Sequence, residues 1–253
     1  MKVPQYTFKG GVAIVNFGDI HLGDDASDHA LVQRMIKEVE RTPNLYWYST
    51  GDMLNVALAA SKSGPYHSSR LEVEREHLVR MFRPIAHKCL GFVSSNHHQR
   101  FDKVIGMSLD GIVARELGIP FLGDIGVMNI TCGRCSYFMV MHHGTGRGKR
   151  RGAKTNDLED LSFVIPGADI YAQGHSHSFD QFDNDNTYLD RKRNTLRTSV
   201  SHFVTTGHAL DFWESYAPMF KFRPMPKGFA LSELSGAPSG NISNKKVRSW
   251  RAD

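Results

Sequence analysis

Two short motifs place metal-ligating groups two residues apart: Asp19-x-His21 and His175-x-His177. In extended backbone, residues i and i+2 point to the same side, so each motif offers its two groups together. Gly51-Asp52, Asn96-His97-His98 and His142-His143-Gly144 add a carboxylate, an amide and further imidazoles. Carboxylate, imidazole and amide donors in combination favour borderline divalent ions such as Mn, Fe or Zn. Seven such groups exceed what one ion needs and suit a two-metal centre.

Each of these clusters ends a short apolar run. The runs are Val12–Phe17, Leu45–Tyr48, Cys89–Val93, Tyr137–Met141 and Ala168–Ala172. Near-continuous apolar stretches of this length read as strands buried on both faces. Helical patterns lie between them: one opened by Ser27 as N-cap with Leu31, Met35 and Val39 at four-residue steps, then Ser69–Phe82, Ser108–Leu117 with Gly118 past its end, and Thr155–Phe163 capped by Thr155. Strands alternating with helices predict an α/β sheet. Ligands in such sheets bind at the carboxyl ends of the strands, where all five clusters fall. After His177 the texture changes to two polar-alternating strands over Thr187–Val204, around Arg191-Lys192-Arg193-Asn194, and then to loops broken by Pro218, Pro224 and Pro226. Residues 1–234 read as one domain. Residues 235–253, rich in Gly, Ser, Pro and Asn and ending in basic residues, read as a flexible basic tail.

The series Asp-x-His, Gly-Asp, Asn-His, His-Gly, Gly-His-x-His, in this order, resembles the calcineurin-like metallophosphoesterases over about residues 12–180. The resemblance implies a four-layer α/β/β/α sandwich with a bimetal site at the sheet edge. It implies that Asp19, His21 and His177 hold one metal, that Asp52 bridges both, and that Asn96, His143 and His175 hold the other. His97 would bind no metal; it would contact the scissile phosphate and protonate the leaving oxygen. Two ions about 3.5–4 Å apart can activate water and clamp phosphate oxygens during in-line attack. The implied cofactors are two divalent ions, Mn first, with Fe, Zn or Ni as alternatives. His143 rather than His142 is the expected ligand, because Gly144 follows it.

The sequence departs from the family pattern at two places. Ser95 stands where the family has Gly before Asn-His, and His98 where it has an acid that often orients the catalytic His; Asp102 is the nearest carboxylate in sequence that could substitute. Leu22 after His21 and Met53-Leu54-Asn55 after Asp52 lack the glycine and the Asp-Arg-Gly of the phosphoprotein phosphatase branch, which argues against that activity.

The segment Gly144–Lys154 carries Arg147, Lys149, Arg150, Arg151 and Lys154 beside the expected site, and with the residues after it is similar to phage-encoded members of the superfamily. Arg100, Arg147, Lys149, Arg150 and Arg151 are candidate phosphate contacts. A basic rim suits a polyanion, which makes a DNA nuclease the leading expectation. The other readings are a phosphoesterase acting on small nucleotides and a metal-binding scaffold; the complete ligand set and His97 favour an enzyme over the scaffold. Against these stand plainer roles. A charge run is usually a solvated face. Cys132-Gly133-Arg134-Cys135, without a second pair, reads as a hairpin turn rather than a zinc site. His67, His77, His87, His202 and His208 read as surface or internally satisfied imidazoles, His208 with the option of lining the site. Trp213, Tyr216 and Phe220 could stack bases, and packing against the sandwich is the plainer role.

Composition bounds the rest. The chain has 253 residues, 40% hydrophobic and 10% aromatic, which excludes a mostly disordered protein. Its net charge of +5 permits anionic partners without demanding them. No apolar run reaches the roughly 18 residues of a membrane span. No signal-peptide pattern opens the sequence, so a cytoplasmic protein, in the host cytoplasm if phage-encoded, is expected.

Overall fold

Val12–Gly18 (β2) and Leu45–Gly51 (β3) are buried at all but one position each, as strands covered on both faces must be. They pair in parallel, and Cys89–Phe92 (β4) extends them on the far side of β3. Gly228–Leu234 (β11) pairs antiparallel with β2, and Gly207–His208 (β10) and Val247–Ala252 (β12) pair with β11. This is one sheet of the computed structural model, which describes residues 3–56, 70–146, 148–238 and 245–253. The second sheet runs in the order Gln5–Phe8 (β1), Ile125–Cys132 (β5), Cys135–His142 (β6), Ile170–Gln173 (β7), Thr195–Thr205 (β9) and Gln181–Asp190 (β8). Here β6, β7 and β9 are mutually parallel.

Three apolar clusters define four layers. His29–Arg41 (α1), Leu71–Phe82 (α2) and Leu109–Leu117 (α4) pack Leu31, Val32, Leu78, Phe82 and Val113 against Val15, Phe17 and Trp47 of the first sheet. Ile14, Tyr48, Met128, Tyr137 and Met139 interleave between the sheets. Leu158 and Leu161 of Arg151–Val164 (α5) cover Val140, Tyr171 and Phe203 on the outer face of the second sheet. The result is the expected α/β/β/α sandwich. Asn96–Ile105 (α3) follows β4 and packs on α4. Among the described residues no helix is long and apolar enough to cross a membrane.

Local expectations are met in part. Ser108 caps α4, its side chain accepting from Gly111 N, and Gly118 ends the helix at φ 70°. The Cys132–Cys135 turn closes the β5–β6 hairpin through Gly133, and both cysteines are buried and free. The polar strands after His177 form the long β8–β9 hairpin. The cap of α1 is Asp28, not Ser27: Asp28 accepts from Leu31 N at 2.9 Å, while the Ser27 hydroxyl donates to Ile20 O. Helix α5 begins at Arg151, one turn before Thr155, whose hydroxyl donates back to Gly152 O from inside the helix.

The expectation of a flexible tail is corrected over its described part. Residues 247–252 form β12, six residues in register with β11. Ser249 is buried and bonds both His202 Nε2 at 2.9 Å and Ser232 Oγ at 2.7 Å. Lys245 reaches Asp169 at 2.6 Å. Composition misled because only a few apolar residues of the tail, Val247 and Ala252, pack on the cores, and the rest of the strand is held by its pairing with β11.

Candidate metal centre

Five strand ends deliver eight polar side chains to one point. Asp19 and His21 follow β2, Asp52 follows β3, Asn96 and His97 open α3 after β4, His143 follows β6, and His175 and His177 follow β7. Because these strands run parallel within each sheet, their carboxyl ends share one edge of the sandwich. Three ligand groups interlock there: Asp19, His21 and His177; His21, Asp52 and His97; and Asp52, His143 and His175. Asn96 joins through Nδ2, which lies 3.0 Å from His175 Nδ1. Asp52 is the hub, with His143 Nε2 at 3.1 Å and His21 and His97 Nε2 at 3.8 Å from its Oδ2.

The loops are braced to hold this arrangement. Asp19 N donates to Gly51 O and His21 N to Asp52 O, so the two loops of the first sheet run side by side. His143 Nδ1 donates to Thr50 O at 2.7 Å, which ties the second sheet's ligand to the first sheet and aims Nε2 at Asp52. A side chain at Gly51 would bring a Cβ within 2.8 Å of Ser95 Cβ, and one at Gly174 within 2.8 Å of Thr50 Oγ1. Only glycine lets the strand ends approach this closely. Asp19, His21, Asp52, His175 and His177 all have φ between 46° and 63°. They are five of the eight described non-glycine residues in this region, where each costs about 1–3 kcal/mol and where such strain concentrates at functional sites.

The electrostatics suit a cation. Asp19 Oδ2, Asp52 Oδ1 and Asn96 Oδ1 are buried acceptors with no hydrogen-bond partner. Asp19 and Asp52 are fully buried acids side by side. Burial pushes the Asp19 carboxyl up to about 8, with Asp52 adding to the rise and His143 opposing it. Burial lowers His21 to about 3 and His175 to about 4, each also repelled by neighbouring imidazoles, and burial with His21 and His208 takes His177 well below its usual range. These imidazoles are neutral near pH 7 and present lone pairs. His143 behaves oppositely: burial would lower it, but Asp52, Asp19 and the Thr50 carbonyl together raise it to about 9. Unpaired acceptors, neutral imidazoles and a buried acid without enough countercharge are the donor set that divalent ions satisfy.

Among the remaining candidates, His142 stands outside the cluster, its Nδ1 accepting from Gly144 N at 2.8 Å. Asp102 Oδ1 accepts from Leu109 N at the start of α4. His97 Nδ1 donates to Asn55 O at 2.9 Å. Of the phosphate-contact candidates, Arg147 and the side chain of Arg100 lie outside the described residues. Lys149 donates to Phe220 O and lies 5.5 Å over the Phe222 ring. Arg150 is exposed immediately before α5, and Arg151 pairs with the buried Asp180.

Two contributors stand apart from the sequence motifs. Lys154 donates to Ser176 O at 2.5 Å, gripping the loop between His175 and His177; it comes within reach because α5 starts a turn early. Asp110, in the first turn of α4, accepts from Ser95 N at 2.9 Å and lies 2.5 Å from His98 Nδ1, with all three residues buried. No local motif marks Asp110, which is distant in sequence. His208 is buried and stacks on His177, ring centroids 5.5 Å apart and planes within 16°, so it lines the site from the first sheet.

The chain is a four-layer α/β/β/α sandwich with an Asp, His and Asn cluster at the shared strand ends that could hold metal ions. No family model and no curated protein matches the sequence. The fold is similar to that of the calcineurin-like phosphoesterase YfkN from Bacillus subtilis, at 12% identity and TM-score 0.49, covering 96% of this chain and 91% of that one. It is also similar to Vps29 from Chaetomium thermophilum, at 14% identity and TM-score 0.43, covering 95% and 96%. A serine/threonine phosphatase from Saccharomyces cerevisiae is similar at 10% identity and TM-score 0.41, covering 99% and 84%.

Proposed function

We propose that this chain is a two-metal phosphoesterase of the calcineurin-like type that hydrolyses phosphodiester bonds, with DNA as its substrate class. The observation that carries the reading is the meeting of seven side chains from five strand ends in three interlocking ligand groups, with Asp52 shared between two of them and Asn96 joined through His175. Asp19, His21, His177 and Asp52 would hold one ion; Asp52, Asn96, His143 and His175 would hold the other. Bound there, two divalent ions supply Lewis-acid stabilisation of phosphate charge and activation of water.

The protein's own groups do the rest. His97 lies at the open side of the cluster, 13% exposed, where a substrate oxygen can reach it. Its Nδ1 proton is committed to Asn55 O, which fixes the ring and leaves Nε2 to carry the proton delivered to the leaving oxygen. Lys149 and Arg150 precede α5 on the segment that leaves His143, and Lys154 follows in the helix's first turns. Together they supply positive charge for a polyanionic backbone.

The test is an Mn-supplemented assay on labelled single- and double-stranded DNA and on bis-p-nitrophenyl phosphate, with wild type and His97→Ala. DNA cleavage is expected in wild type, with a loss of about 10²- to 10⁴-fold in the variant. Turnover of the small ester alone would replace DNA with a small phosphoester. Metal binding without turnover of any substrate would sink the hydrolase reading in favour of a scaffold.

A further inference from the structure

Five aromatic residues crowd eleven positions: Phe212, Trp213, Tyr216, Phe220 and Phe222. None belongs to the three apolar cores, and none is buried. Trp213 is 75% exposed, in contact edge-on with Phe212. Aromatic side chains normally bury most of their large surface; Tyr216, Phe220 and Phe222 pack on one another and are half-buried, whereas the indole of Trp213 is left open to a ligand.

The segment is tied to the candidate metal centre on two flanks. It leaves the site at His208, which stacks on His177, and Ala209 N donates to Asp19 O at 3.1 Å. Trp213 is four residues further on, at most about 14 Å of chain. On the other flank, Lys149 donates to Phe220 O and lies over the Phe222 ring, so the basic segment after His143 and the aromatic segment after His208 touch. The Trp213 backbone is pinned: its N–H donates to Asp211 Oδ1 at 3.0 Å, and Asp211 N donates to Ala26 O at 2.8 Å. A ring held in place costs little entropy to stack on.

A cation, Lys149, on the half-buried rings and the exposed Trp213 beside them match the two halves of a nucleotide, its anionic backbone and its flat base. We infer that residues 212–222 form a base-stacking wall of the substrate cleft and that Trp213 stacks on a nucleobase of the bound single strand. This rests on the phosphodiesterase reading and adds what that reading leaves open, the recognition of bases beside backbone charge.

The test compares equilibrium binding of the metal-loaded protein to a short labelled phosphorothioate strand, which resists cleavage, and to an abasic strand of the same length and charge. Wild type should prefer the base-bearing strand, with quenching of tryptophan fluorescence. Trp213→Ala should weaken that strand about 5- to 100-fold and leave the abasic strand unchanged, while Trp213→Phe restores most of the loss. Equal wild-type affinity for the two strands, or an equal loss on both in Trp213→Ala, would overturn the proposal. Because the readout is binding, it stands apart from turnover: failure of the phosphoesterase reading would show as absent hydrolysis of an unmodified strand, whatever the strand preference.

Discussion

Asp52 sits where three imidazoles from three different strand ends meet, and no hydrogen bond satisfies its Oδ1. A buried carboxylate in that position is expensive unless a cation shares it. Asp52→Ala should therefore lose bound metal and reduce turnover by about 10³-fold or more, since the ions contribute several kcal/mol at the transition state. Metal content by elemental analysis and turnover on bis-p-nitrophenyl phosphate check this together. Normal metal content with normal turnover would remove the hub role. The same residue scale explains how His143 is chosen over His142: adjacent residues at a strand end face opposite ways, and only His143 can donate to Thr50 O while facing Asp52.

At the scale of elements, the turn between β4 and α3 carries both Asn96 and His97, and α4 holds it from behind. Asp110 binds Ser95 N and pairs with His98, so the departures from the family pattern at positions 95 and 98 converge on a single carboxylate. Asp110→Ala should cost about 3–5 kcal/mol as a broken buried ion pair, or about 6–20 °C in Tm. The pair also sets a pH dependence. Burial alone would lower His98, but Asp110, with smaller contributions from Asp52 and the Leu54 carbonyl, raises the imidazole above its usual value. The unfolded pKa is about 6.5, so the pair's contribution is fully present below that and is lost as pH rises through the raised folded value. Thermal melts of wild type and Asp110→Asn across that range should converge toward alkaline pH. Parallel curves would show that His98 is neutral throughout.

At the scale of the whole molecule, the C-terminal strand links the two sheets. β12 adds the outer strand beside β11 and supplies Ser249 to both His202 and Ser232 across the two sheets. Deleting residues 235–253 leaves those two buried groups without a partner, each at about 1–3 kcal/mol, so Tm should fall by at least about 5 °C. An unchanged melt would return the segment to the status of a dispensable tail.

How much of this was legible in the residues follows from what is local. The strands β2, β3, β4, β6 and β7 are local patterns, since apolar runs are buried wherever the chain goes and the clusters simply follow them; the two-apart pairs meet not through extended backbone, as expected, but through left-handed residues at the strand ends. The seven candidate ligands and His97 could be placed at strand ends without coordinates for that reason. What depends on distant partners was not visible: the strand formed by a polar tail, the early start of α5 that brings Lys154 to Ser176, and the Asp110 brace behind His97. The sequence by itself determined which residues stand at the strand ends and what chemistry they can do. Only the tertiary structure decided which of them meet and what holds them, because those contacts join residues from different sheets and helices, and their strength comes from burial that no single segment creates.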